Sequence, residues 1–223
     1  MKRIRKAARV VSVIVAAILT ALVVTVLCAP EEDRIELTEI IENVNNQQNL
    51  KRQIDWDSLP DEVIAWVEVP GTNIDEPIVQ ASREAPNAYL YKDALGQGNY
   101  GTPYIDCDCS LESPFVMVYG HHMSDGSVFA DFAKFIDEDY AREHEEIIVY
   151  KRDGETLGLE VRAVDVVNAS CERLVVNQEA DFRKLIADAD LAFGNLSEDG
   201  QLFAFTTCSY QTRNSRTTVY AGC

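Results

Sequence analysis

The sequence predicts a mainly β fold, one domain of about eight strands with two or three inserted helices, set behind an N-terminal membrane helix. Three observations predict it. Short runs rich in Val, Ile, Phe, Tyr and Thr recur from Val63 to Tyr220, and β-branched and aromatic residues suit a pleated, half-buried surface. Turn signals punctuate the runs, most clearly Pro70-Gly71 and the hairpin pair Asp153-Gly154. The third is an apolar stretch near the start, unlike anything that follows it.

That stretch runs from Val10 to Ala29 without a charge, long enough for a helix to cross a ~30 Å hydrocarbon core. Lys2, Arg3, Arg5, Lys6 and Arg9 precede it, which orients residues 1–9 as a cytoplasmic tail and sends the rest of the chain outward. A cleaved signal peptide wants a shorter apolar core and a small-x-small site, which Leu27-Cys28-Ala29-Pro30 supplies poorly. Residues 10–29 therefore read as a retained single-pass anchor at the cell membrane. All 37 acidic residues lie beyond it, against 20 Lys and Arg in the whole chain. So acidic an exported part argues against nucleic acid, whose phosphates need a basic face.

Beyond the anchor, residues 31–54 are polar with Leu37, Ile40, Ile41 and Val44 at helical spacing, which predicts a stalk helix. Residues 55–223 then form one domain, with no internal repeat and length for one sizeable core. Strands are predicted at Val63–Val69, Ile74–Gln80, Thr102–Ile105 and Phe115–Tyr119. Gly96 to Gly101 is a glycine-rich loop with no G-K-[ST] after it, hence no phosphate loop. A helix is predicted from Asp125 to Phe135, with Val128, Phe129, Phe132 and Phe135 on one face. Strands Glu146–Tyr150 and Thr156–Val167 flank the Asp153-Gly154 turn. Asn177 to Ala192 reads as a helix with Phe182, Leu185 and Ile186 inward, and Leu202–Thr207 and Thr217–Tyr220 close the chain as strands.

The residues able to carry chemistry are few. His121 and His122 follow Gly120 at a strand end, Cys208 ends the penultimate strand, and Arg216 opens the last, with Arg213 nearby. A thiol, an imidazole and a guanidinium at three strand ends supply a nucleophile, a proton carrier and a fixed positive charge for an oxyanion. Each has a bland counterpart. A cysteine at a strand end packs as a small hydrophobe, and an arginine in so acidic a chain pairs with a carboxylate. Cys107, Cys109, His121 and His122 together have the residue types of a zinc site, but Cys-x-Cys is tighter than usual zinc spacing and adjacent histidines suit one ion poorly. The cysteines beyond the anchor are Cys107, Cys109, Cys171, Cys208 and Cys223, an odd count that leaves a free thiol.

The local sequences narrow the choice. Val118-Tyr119-Gly120-His121-His122, followed by Asp125-Gly126 and Val128-Phe129, resembles the histidine segment of class B sortases. Thr206-Thr207-Cys208 with Arg216 after it resembles that family's T-C signature and following arginine, and Trp66 to Asp75 resembles its first strand and turn. Two features depart from the pattern. The family's T-L-x-T-C stands here as Ala204-Phe205-Thr206-Thr207-Cys208, and Cys107-Asp108-Cys109 has no counterpart.

The resemblance implies a sortase-like eight-stranded β-barrel and a cysteine transpeptidase. Such an enzyme cuts a C-terminal sorting motif of secreted proteins and joins the acyl end to an amine of the cell wall or of a pilin. It implies Cys208 as nucleophile, His121 as proton carrier because it directly follows the glycine, and Arg216 as oxyanion partner, with Arg213 in reserve. Thr207 and Leu90 are implied to contact the peptide. The implied partners are a sorting-signal peptide, an amine acceptor on peptidoglycan or pilin, and the membrane through the N-terminal helix; the chemistry needs no cofactor or metal. Two alternatives remain open at this point: a non-catalytic peptide-binding module on the same barrel, and a surface cysteine hydrolase that gives the acyl group to water.

Overall fold

The computed structural model describes residues 52–223 except 97, 99, 170–180, 198–199, 210–213 and 223. The predicted tail, the anchor and nearly all of the predicted stalk helix lie outside the described residues, as do Cys171, Arg213 and Cys223. No helix among the described residues is long and apolar enough to cross a membrane. Arg52–Ile54, the end of the predicted stalk helix, are not helical. Arg52 lies beside the first hairpin, donating to Asp75 at 2.5 Å and to Glu68 at 3.3 Å, and its guanidinium covers the Trp66 ring. Asp75 also accepts from Trp66 Nε1 at 2.6 Å, so one carboxylate fixes both the incoming chain and the hairpin.

Among the described residues nine strands form the sheet: β1 (Val63–Glu68), β2 (Asp75–Gln80), β3 (Tyr104–Ile105), β4 (Phe115–Gly120), β5 (Glu146–Lys151), β6 (Thr156–Asn168), β7 (Leu191–Ala192), β8 (Leu202–Ser209) and β9 (Ser215–Gly222). Their order is β5-β1-β2-β3-β4-β8-β9-β6-β7, and β5 also pairs with β6. That pairing closes eight strands into the predicted barrel and leaves the two-residue β7 as a ninth strand beside β6. Closure removes the open edges at which a sheet would pair with other chains.

Both predicted helices shorten, for physical reasons. Gly126 and Val128 have φ of 85° and 59°, in the left-handed region, so no helix starts at Asp125. A 3-10 helix, Ala130–Ile136, follows instead. Phe129, Phe132 and Phe135 recur every third residue, the period of a 3-10 helix, so all three still reach the core. Helix α1 (Glu138–Glu143) comes next, and Asp137 caps it by accepting from the Asp139 and Tyr140 amides. In the second case the predicted Asn177–Ala192 helix is reduced to α2 (Phe182–Ala187). Its first residues lie outside the described set, and its last two are β7, where Leu191 and Ala192 pair with Val164 and Ala163. The predicted inward residues stay inward: Phe182 stacks on Phe115, and Ile186 is buried.

The core is strongly aromatic around β8. Phe205 stacks on Phe132 at 5.3 Å and on Phe203 at 5.8 Å, and Phe129 meets Phe132 edge-on at 4.9 Å. A Cβ on Gly120 would lie 2.3 Å from the Phe129 ring, so only glycine lets this ring close over the end of β4. The unmatched Cys107-Asp108-Cys109 run forms the turn after β3. Cys109 is buried, its sulfur accepts the Met117 amide at 3.3 Å, and burial pushes its thiol up to about 11.

Gly120→Ala should destabilise the protein by about 1–3 kcal/mol, the usual cost of overpacking a well-filled core. Denaturant unfolding of the protein checks it: a lowered midpoint is expected, and an unchanged one would mean that Phe129 yields freely.

Candidate active site

The register of three strands builds the site. β4 runs parallel to β8 with Gly120 opposite Thr207, so His121, the next residue, stands beside Cys208. β8 runs antiparallel to β9 with Cys208 opposite Arg216. Imidazole, thiol and guanidinium therefore occupy one row across three adjacent strands, spaced about 4.8 Å apart. Cys208 lies within β8 and not past its end, and His121 is the first residue after β4. All three are partly exposed.

Strand alternation decides which side chains share the row's face. Met117 and Tyr119 on β4, Ala204 and Thr206 on β8, and Thr218 and Tyr220 on β9 lie on the Cys208 side. The Thr206 hydroxyl bonds the Thr218 hydroxyl at 2.9 Å on that side and reaches Met117 Sδ. Phe203, Phe205 and Thr207 belong to the opposite face. Thr207 borders the groove, but its hydroxyl is buried and without a hydrogen-bond partner, as is that of Thr217 across from it.

Local contacts fix the two histidines differently. His121 Nε2 donates to the Leu90 carbonyl at 2.5 Å, so this nitrogen carries a hydrogen and Nδ1 is the ring nitrogen left outside that contact. Leu90 ends a 3-10 helix, Ala88–Leu90. Gly101, with φ of 72°, packs against it so closely that a Cβ would meet the Leu90 oxygen at 2.5 Å. The Thr102 amide donates to the Tyr89 carbonyl beside it. The predicted glycine-rich loop thus sets the carbonyl that orients the histidine. The Tyr91 ring, three-quarters exposed, lies 6.1 Å from the His121 ring. His122 instead turns to β8, where its Nδ1 donates to the Cys208 carbonyl at 2.8 Å.

The segment after the histidines is strained. A β-branched residue at positive φ costs about 1–3 kcal/mol, and Val128 adopts one. A bridge to His122 and the Phe129 amide bonded to the His121 carbonyl at 2.9 Å hold it, and the Glu76 carboxyl lies close to the Val128 amide. Burial pushes that Glu76 carboxyl up to about 7, and nearby Asp75 and Asp93 add to the effect.

Arg216 donates to the Asn214 side chain at 3.4 Å and to the Ser215 carbonyl at 3.1 Å, and it makes no ion pair among the described residues. The bland carboxylate pairing is therefore absent there, and the guanidinium faces the groove with charge to spare. The zinc arrangement is absent too. Among the described residues the one grouping with metal-ligand geometry is Asp106, Cys107 and Asp108, without either histidine.

A groove of about 280 Å³ opens along this face. Leu90, His121, Cys208 and Arg216 line it, together with Asn87, Tyr104, Asp106 and Tyr119. Those four were not singled out from the sequence. Tyr119, two residues before His121 on a strand, was legible by alternation; the others come from segments distant in sequence. A larger cavity of about 820 Å³ lies at the opposite end of the β4–β8 pair, beside Pro114 and Gln201, and no cysteine or histidine lines it.

Comparison with known proteins gives the family and the fold. The sequence model of the sortase domain matches residues 67–223. Sortase B of Listeria monocytogenes is 32% identical over 94 residues, a match that takes in 40% of this chain and 37% of that protein. A class B sortase of Streptococcus pyogenes involved in pilus biogenesis superposes with a TM-score of 0.64 at 22% identity, over 75% of this chain and 95% of that one. Sortase B of Clostridium perfringens superposes with a TM-score of 0.62 at 22% identity, over 80% and 97%. Sortase B of Staphylococcus aureus complexed with MTSET gives 0.63 at 17% identity, over 75% of each chain.

Brief treatment of the folded protein with iodoacetamide near neutral pH, followed by peptide mapping, separates the thiols. Cys208, in the groove, should be modified first. Cys109 should react only after denaturation, because its thiol is buried and held protonated. Equal labelling of both in the native protein would contradict the arrangement.

Proposed function

This chain belongs to the sortase family, and from that premise we propose that it is a membrane-anchored transpeptidase of the class B kind. Its reacting groups are Cys208, His121 and Arg216. The observation that carries the reading is their single row across β4, β8 and β9, opening into a peptide-sized groove. The basic stretch Met1–Arg9 and the apolar run Val10–Ala29 support a single-pass anchor with the catalytic domain outside the cytoplasm.

The reaction then has two halves. Cys208 Sγ, as its thiolate, bonds to the carbonyl carbon of a threonine in the sorting signal. The carbonyl oxygen takes the negative charge, and the Arg216 guanidinium donates hydrogen bonds to it. The C–N bond breaks as His121 gives a proton to the leaving nitrogen, and a thioester remains on Cys208. An amine acceptor of peptidoglycan or a pilin then attacks the thioester. It passes its proton to His121, the C–S bond breaks, and the thiolate returns. The Leu90 carbonyl orients the imidazole for both transfers, and the His122 ring steadies the backbone that carries the nucleophile. Leu90 also contacts the peptide; Thr207 contributes through its backbone, because its hydroxyl belongs to the other face.

Products distinguish the transpeptidase from a hydrolase. With a sorting peptide and a nucleophilic amine such as a short glycine peptide, the expected product is the amide of the two, with the free acid rising only when amine is withheld. Free acid alone at any amine concentration would make the protein a hydrolase. Arg216→Ala should slow acyl-enzyme formation by about 10²–10³-fold with little change in fold stability, the usual loss when one oxyanion donor is removed. An unchanged rate would assign the oxyanion to another group.

A further inference from the structure

We propose that Asp106 makes this groove select a basic side chain, lysine or arginine, three residues before the attacked carbonyl; this rests on the transpeptidase reading above. Among the described residues Asp106 is the one acidic residue lining the groove, and the strand registers put it beside Met117, four residues back along β4 from His121, with Arg216 across β8. The groove is thus polarised, with positive charge where the oxyanion forms and negative charge away from the reacting bond.

Strand register supplies the distance. Ile105 pairs with Val118, and the Asp106 amide donates to the Met117 carbonyl at 2.9 Å. Met117 precedes His121 by four residues, roughly 13 Å at about 3.3 Å per residue. Between the two transfer steps only the acyl part of the substrate stays on the enzyme, so the groove must hold the residues on that side of the bond. An extended peptide with its carbonyl at Cys208 covers about 10 Å in three residues. A long basic side chain spans the remainder, and a short one does not.

The surroundings of Asp106 suit this role. One carboxylate oxygen accepts the Asp108 amide at 2.9 Å, which fixes the turn after β3. The Tyr119 hydroxyl lies near the same carboxylate, and burial and that charge push Tyr119 up. Neither partner is a cation, and Asp106 makes no ion pair among the described residues; the nearby Arg83 binds Asp108. The charge therefore stands unneutralised at a partly buried position, where an opposite charge on a ligand is felt more than on open surface. Tyr104 and Tyr119, 5.4 Å apart, flank it with aromatic faces on which the methylene stem of lysine or the plane of arginine packs.

The test does not require turnover. Four-residue peptides ending in threonine, with a vinyl sulfone in place of the scissile amide, trap a thiol by addition of Sγ to the alkene. Their first residue is varied among Lys, Arg, Asn, Leu and Glu, and Cys208 labelling is followed by intact mass. For the unaltered ectodomain, Lys and Arg peptides should label about tenfold faster than Leu and more than that over Glu. Asp106→Asn should level the series, and Asp106→Lys should reverse it in favour of Glu. A peptide with lysine moved to its second residue should gain little, which separates the groove from the acidity of the whole chain. Labelling blind to the first residue, a preference unchanged by both variants, or an equal slowing of every peptide would overturn the proposal; the last would mean that Asp106 only holds the turn. If no peptide labels Cys208 while iodoacetamide does, the peptide groove and this proposal fall together. If labelling follows charge as expected but no amide product forms, the selection stands and the transpeptidase reading fails.

Discussion

β8 lies between two partners of opposite sense, parallel β4 and antiparallel β9, and the rest of the site depends on those two registers. Because side chains alternate with a period of two, a slip of one residue in either pairing would send Cys208 to the face away from His121 or from Arg216. Several features hold the register. The aromatic stack Phe203, Phe205, Phe132 and Phe129 fills one face of β8. Gly120 lets Phe129 close on β4 without a Cβ in the way. On the other face, hydroxyls of Thr206 and Thr218 bond directly across the β8–β9 pair.

Chemistry is then set by contacts one step out from the row. Two adjacent histidines have different duties because β4 has ended and the chain turns. His121 meets the carbonyl of Leu90, and His122 meets the carbonyl of Cys208. The turn needs a left-handed Val128, whose cost is offset by the Phe129 amide and the His122 bridge. Strain of this kind concentrates where a backbone must be aimed and not merely continued. Opposite the histidine, Arg216 is held by oxygen atoms of its own strand turn and not by a carboxylate, which leaves its charge directed at the groove.

Much of this was legible in the sequence, for reasons that differ by residue. The strands were, because β-branched runs between Gly, Pro and Asp turns are local signals; Val63 to Glu68 and Thr156 to Asn168 fall where alternation and the Asp153-Gly154 turn put them. His121, Cys208 and Arg216 were visible as residue types at strand ends and through resemblance to a family. Their adjacency was not, since it depends on pairings between segments far apart in the chain. The helix expected from Asp125 misread a three-residue recurrence of phenylalanine as an α-helical one. Asp106 was passed over because the odd Cys107-Asp108-Cys109 run beside it attracted the chemistry; only the pairing of β3 with β4 brings its carboxylate to the groove.

The most direct measurement is intact mass spectrometry of the protein, taken from about Glu31 onward, mixed with sorting-motif peptides beside a Cys208→Ala control. The expected result is a peptide-sized thioester adduct on the unaltered protein, absent from the control and discharged by an added amine. An adduct that persists in the control, or an unaltered protein that forms none with any peptide while Cys208 still reacts with iodoacetamide, would contradict the row of His121, Cys208 and Arg216 as an acyl-transfer centre.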